Sequence, residues 1–401
     1  MKQKDNNVIW AILVMVTLLF FVFVLFAQLH NWKDMNCKNI EDVAQKSYCW
    51  ENAINGHAKK GEIHKSFEML QELYAVDSVV ALDCHAYAHI IGTEASKAFL
   101  RDGRIELSPL SALCGYGFYH GFMESLLAMT GNFNDAKNFC GYADKELLQQ
   151  GLKGGLFACY HGFGHGILDG SDPRTWGDPQ AMLKPALATC SKITENDFLH
   201  SRCATGVFNS LEILSQTSKY QLEDSIGKNP FGVCHAQPLL YSEPCYTNMI
   251  PAVLRLTKND IEASAGYVLE HIPRPDDPTT IGSTVLETAI LALFNEFMRL
   301  YGGDTDYARI GVTLCRALPT DVQPVCIEGL SSGHIKYGVL GEEYPKWLSF
   351  CENAMLANDE ENVCFAYVLP RLSIWYPSPK KEEICDMSPL MYQKYCKDNE
   401  N

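Results

Sequence analysis

The apolar positions of this chain fall into two patterns. Residues 8–29 (VIWAILVMVTLLFFVFVLFAQL) form one run without a charged side chain. About 20 apolar residues cross a bilayer as a helix, so the run predicts a single transmembrane helix. It is longer than the apolar region of a cleaved signal peptide, and Phe26-Ala27-Gln28 is a poor cleavage site, so a retained signal-anchor is expected. Lys2 and Lys4 precede it, which makes residues 1–7 a short cytoplasmic tail and places residues 30–401 outside the cytoplasm, periplasmic or extracellular. Beyond the run, apolar residues recur at helical spacing, as in HKSFEMLQELYAV from His64 and STVLETAILALFNEFMRLYGG from Ser283. No convincing alternating strand pattern is present. The segments GSDPRTWGDP (170–179) and PRPDDP (273–278) read as longer loops.

Cysteine usage turns this helical pattern into an architecture. The chain has 16 cysteines, all beyond the apolar run. An even, high count on the far side of a membrane reads as a disulfide framework, and the absence of any C-x-x-C removes the usual zinc-ribbon and thioredoxin-like alternatives. Sequential pairing is the expectation, although sequence alone does not fix connectivity: Cys37–Cys49, Cys84–Cys114, Cys140–Cys159, Cys190–Cys203, Cys234–Cys245, Cys315–Cys326, Cys351–Cys364 and Cys385–Cys396. The second members recur at steps of 45, 44, 42 and 38 residues, with one step of 81 that spans two repeats. A period near 40 is typical of paired-helix solenoids. The text after several of these cysteines (CGYGFYHG, CYHGFGHG, CATGVFNS, CIEGLSSG) shares the form C-x-x-[G/N]-x-x-x-[G/S], which sets small residues on one helical face. The predicted fold is therefore an all-α solenoid of disulfide-stapled helical hairpins behind the N-terminal helix, with short loops worth about 3 kcal/mol per bridge. The stretch from Ser283 lies where a cysteine pair is missing and reads as a repeat that has lost its bridge.

Charge narrows the partners. The net charge is −15, which argues against nucleic acid or an anionic membrane surface. The membrane contact expected is residues 8–29, and a protein or peptide partner suits a solenoid face.

Histidine supplies the candidate chemistry. At about 100° per residue, His161, His165 and Asp169 form one stripe on the helix after Cys159. His120 and Glu124 occupy the same angles after Cys114. Stacked repeats set equivalent faces side by side, so these five should converge. Imidazole and carboxylate groups on adjacent helices suit zinc, iron, manganese or copper. His85 and His89 are also one turn apart and are further candidate ligands, but their phase relative to Gly92 points elsewhere. The alternative is a polar packing network, because Asn209 and Ser332 occupy the equivalent of His120 in other repeats.

Other motifs carry less. Gly329-Leu330-Ser331-Ser332-Gly333 matches a nucleophile elbow, but it falls inside a predicted helix. His57 and His334 are expected at a helix surface. Tyr116, Phe118, Tyr119 and Phe122 read as core. The loop holding Trp176 is placed to cover the histidines. Asp276, Asp277, Glu342, Glu343, Asp359, Glu360 and Glu361 read as solvated charges, without the spacing of a calcium loop. Two function classes remain: a membrane-anchored binding scaffold, or a metal-dependent enzyme (oxidoreductase or hydrolase) or metal carrier.

Overall fold

A computed structural model describes residues 37–272, 281–338 and 341–396; the expected anchor and the PRPDDP loop lie outside them. Among the described residues there is no strand, and no helix is long and apolar enough to cross a membrane. The first helices are α1 (Val43–Ala58), α2 (Ile63–Val76), α3 (Ser78–Asp102), α4 (Gly117–Thr130), α5 (Phe133–Leu148) and α6 (Gly155–Asp169). Then come α7 (Pro179–Ile193), α8 (Asp197–Leu214), α9 (Gly232–His235), α10 (Ser242–Asn248), α11 (Ile250–Leu256), α12 (Ile261–His271) and α13 (Ile281–Tyr301). The chain closes with α14 (Tyr307–Ala317), α15 (Gln323–Tyr337), α16 (Glu343–Cys351), α17 (Asn358–Val368), α18 (Leu372–Trp375) and α19 (Ser378–Met387).

Local sequence explains many of the boundaries. Asp42, Asp77, Asn132, Asp178, Asn196 and Asp260 stand before helices and accept the first free amide hydrogens, as Asn196 does from Leu199 N–H at 3.0 Å. Gly103 and Gly131 end α3 and α4 with φ of 71° and 60°, the left-handed cap that glycine adopts without strain.

The helices form two layers. An inner row runs α3, α4, α6, α8, α10, α13, α15, α17, each packed on the next in chain order. Outer helices pack behind it, pairing as α5 with α6, α7 with α8, α14 with α15, and α16 with α17. The layers meet over large fully buried side chains, among them Trp50, Phe118, Phe122, Phe139, Phe208, Phe294 and Trp347. Burial of a large apolar side chain is worth about 1.5–3 kcal/mol, so these rings hold the layers together. Helix α13 fills its place in the row without a bridge, as expected for the stretch from Ser283.

All eight cysteine pairs are bonded in sequential order. Several clamp an outer helix to the inner helix after it, as Cys190–Cys203 does for α7 and α8. Cys84–Cys114 departs from that plan: it ties inner helix α3 to the turn that begins inner helix α4. Eight bridges fit an oxidising, extracytoplasmic compartment.

The row also curls back on itself. Lys153 N–H donates to Ser373 O at 2.8 Å, the Tyr116 hydroxyl to Ile374 O at 2.7 Å, and the Tyr74 hydroxyl to Gly338 O at 3.1 Å. The C-terminal segment therefore rests on the first repeats.

Candidate metal centre

Four inner helices, α3, α4, α6 and α8, touch backbone to backbone. A Cβ on Gly121 would lie 1.9 Å from His89 O, and one on Gly206 would lie 1.8 Å from His161 O. Only glycine permits that approach, and it locks neighbouring helices in register. Two rows of polar side chains result. The first is His85, His120, His161 and Thr205; the second is His89, Glu124, His165 and Asn209. Asp169 lies one turn further along and accepts from the Ser210 hydroxyl at 2.8 Å.

The five side chains expected to converge lie on this one wall. His120 and His165 stack with ring centroids 4.0 Å apart, and His161 lies 5.0 Å from His120. One ligand nitrogen from each of these three histidines falls within 4.8 Å of the others. Among the described residues no other group of ligating side chains converges in this way. His85 and His89, expected to face elsewhere, join the same wall. His85 Nε2 is 3.1 Å from His120 Nδ1, and His89 Nε2 is 2.8 Å from Glu124 Oε2. Cys84 is the first member of its pair, so the phase counted from the second cysteines does not apply to α3. The register of α3 is set instead by Gly117 and Gly121 of α4, which seat on the carbonyls of His85 and His89.

The outer hydrogen bonds fix which nitrogens stay free. His85 Nδ1–H donates to Cys114 O at 2.9 Å, so its Nε2 accepts from His120 Nδ1–H. That leaves His120 Nε2 with an open lone pair. The Thr205 hydroxyl donates to Arg202 O at 2.7 Å, so its oxygen accepts from His161 Nδ1–H at 2.9 Å and the lone pair falls on His161 Nε2, with Asn209 close to the ring. His165 Nε2–H donates to Asn209 Oδ1 at 2.9 Å, with the amide oriented oxygen-first. His165 Nδ1 then faces Glu124 Oε1 at 3.5 Å. A partner on the second ring nitrogen is what orients a metal-binding histidine, and each of the three has one.

The turn that presents Cys114 O is itself unusual. Cys114, Gly115 and Tyr116 all have positive φ, at 59°, 66° and 63°. For Cys114 and Tyr116 this is a costly conformation, held by the Cys84–Cys114 bridge and the Tyr116–Ile374 hydrogen bond.

Electrostatics follow from the enclosure. Burial holds His120 and His161 well below the ordinary imidazole value, and the neighbouring imidazoles add to the effect. His85 keeps a solvent-exposed side, yet the surrounding protein lowers it to about 4. These rings are neutral at pH 7. Burial pulls Glu124 upward, but the imidazoles of His165 and His89 beside it outweigh burial and hold the carboxylate at about 2. Asp169 is raised by burial and by Glu124. An ionised carboxylate thus lies beside the neutral imidazoles of His120 and His161, a donor set that suits a cation.

The remaining expectations divide. Ser331 is fully buried inside α15, donating to Cys364 O at 2.9 Å and accepting from Trp347 Nε1–H at 2.8 Å, with no strand before it. Phe118, Tyr119 and Phe122 are core, and Tyr116 is half-buried against them. His57 stays at the surface beside Glu62. His334 is instead 3% exposed, donating from Nδ1 to Leu330 O and accepting at Nε2 from the Tyr307 hydroxyl. Position eight after the cysteine turns inward toward α14, which the stripe of one helix does not reveal. Glu343 is likewise buried, accepting from the Tyr376 hydroxyl at 2.9 Å, because the curled C-terminal segment covers it. Trp176 packs edge-on to Tyr220, in the segment after α8, and bonds Ser171 of its own loop, rather than covering the histidines. Sequence reasoning left Thr205 out of the site, although it sits two residues after Cys203 as His161 does after Cys159. Compared with family models, curated proteins and solved structures, the chain matches none.

Proposed function

We propose that this chain is an extracytoplasmic, membrane-anchored helical-repeat protein that binds one divalent transition metal through His120, His161, His165 and Glu124. The observation that carries the reading is the set of outer hydrogen bonds. His85, Thr205 and Asn209 each engage the second nitrogen of one histidine and leave its inner lone pair free, beside a carboxylate of depressed pKa. Three imidazoles and one carboxylate suit zinc, and also iron, manganese or copper. The lowered pKa values of His120 and His161 favour metal loading, because protons compete poorly for these ligands. His89 bonds Glu124 and supports it from behind. The rest of the array is the rigid scaffold for the site and offers its surface to a protein or peptide partner.

Elemental analysis of the purified, non-reduced chain tests this, with a His161→Ala/His165→Ala variant alongside. About one equivalent of metal, lost in the variant while helicity persists, is expected. A wild-type chain that takes up none of the four metals, even when reconstituted with each, contradicts the proposal and leaves a polar packing network.

A further inference from the structure

Arg202 is the odd residue beside this site. It lies on α8, one turn before Thr205, the residue that holds His161. Its Nε is buried without a hydrogen-bond partner. Among the described residues its guanidinium makes no ion pair within 4.0 Å, and its side chain rests near the ring of Phe198, 5.8 Å from the centroid. Tyr116 and Glu243 are the anion-forming groups that face it, and neither is within bonding distance. The Tyr116 hydroxyl is spent on Ile374 O.

A guanidinium half-removed from water is costly to keep unless something pairs with it. Elsewhere in the fold arginines pair with a carboxylate or bond a carbonyl, as Arg255 does with Glu212 and Arg371 with Tyr367 O. Arg202 does neither. Its planar fork of donors matches the two oxygens of a carboxylate or phosphoryl group.

We propose that Arg202 is an anion-binding residue of the histidine site, taking a carboxylate or phosphoryl group of a small ligand held beside His161. The ligand class rests on the metal reading for its second anchor, but the anion contact belongs to Arg202 alone.

Equilibrium dialysis of the full chain against labelled acetate and labelled inorganic phosphate tests this, as purified and zinc-loaded, with metal content measured on the same samples. Saturable binding of one of the two probes near one equivalent is expected, at least tenfold weaker in Arg202→Met, with metal content unchanged. Which probe binds separates the two anion chemistries. In anion-poor buffer Arg202→Met is expected to melt no lower than wild type, because an unpaired buried charge is removed. Binding of neither probe overturns the assignment, as does an Arg202→Met variant that binds like wild type. A Glu243→Gln variant that is destabilised as much as Arg202→Met, with no added loss in the double variant, also overturns it, by making Glu243 the partner. Anion binding that depends on Arg202 in a chain holding no metal keeps this inference and removes the metal reading.

Discussion

The close approach of the inner helices makes a strong prediction about two glycines. Gly→Ala inside a helix normally stabilises by about 1 kcal/mol. Gly141 lies in mid-α5, exposed, and a Cβ there meets nothing within 4 Å. Gly141→Ala should therefore gain about that much. Gly206 is the opposite case. A Cβ there lies 1.8 Å from His161 O, 2.8 Å from His161 C and 3.1 Å from Gly164 Cα. All three obstacles are backbone, so no rotamer change relieves them and α6 and α8 must separate. Overpacking costs roughly 1–3 kcal/mol, and a backbone obstacle belongs at the upper end. Against a helix-propensity gain of about 1 kcal/mol, Gly206→Ala should lose about 2 kcal/mol net. Separation of the helices also stretches the bond from His161 to Thr205, so metal affinity should fall. Urea unfolding of both variants with disulfides intact, followed by circular dichroism, reads the two signs directly. A Gly206→Ala chain as stable as wild type would refute the packing argument.

Two further outcomes follow from the site and its surroundings. Thr205→Val keeps the shape but removes the acceptor for His161 Nδ1–H, and should weaken zinc binding by roughly 10–100-fold with little change in helicity; calorimetric titration showing unchanged affinity would remove Thr205 from the site. His334, buried and held at about 4 against an ordinary value of 6.5 by burial, stays neutral in the folded chain over a range where the unfolded chain takes up a proton. Stability is therefore intact above about pH 6.5 and falls as the pH drops toward 4, by about 3 kcal/mol for a shift of this size. His334→Gln should narrow the difference between urea midpoints at pH 7.5 and pH 4.5, to which His85, His120 and His161 also contribute, and an unchanged difference would exclude His334 as a contributor.

The hairpin staples and the histidine wall were legible in the sequence for one physical reason. Positions two, six and ten residues after the cysteine (His161, His165 and Asp169 in α6) lie a turn apart on one face of an inner helix, so stacking brings those faces together, with α4 offset from α6 by one turn: His120, six after Cys114, lies beside His161, two after Cys159. His85 and His89 escaped because α3 carries the first cysteine of its pair and takes its register from the glycines of α4. Arg202 escaped because it stands before Cys203, one turn outside the stripe. The burial of Glu343 depends on how far the row curls, and curvature accumulates from small rotations between repeats that no local pattern records. His334 depends on which side of α15 receives α14, again a matter of tertiary placement. The anchor expected at residues 8–29 lies outside the described residues.

X-ray absorption at the zinc edge of the zinc-loaded chain tests the central claim most directly. The account predicts a shell of nitrogen and oxygen alone at about 2.0–2.1 Å, with the outer-shell pattern of about three imidazoles that disappears in His161→Ala/His165→Ala. A sulfur shell at about 2.3 Å, or a wild-type spectrum with no imidazole pattern, would contradict it.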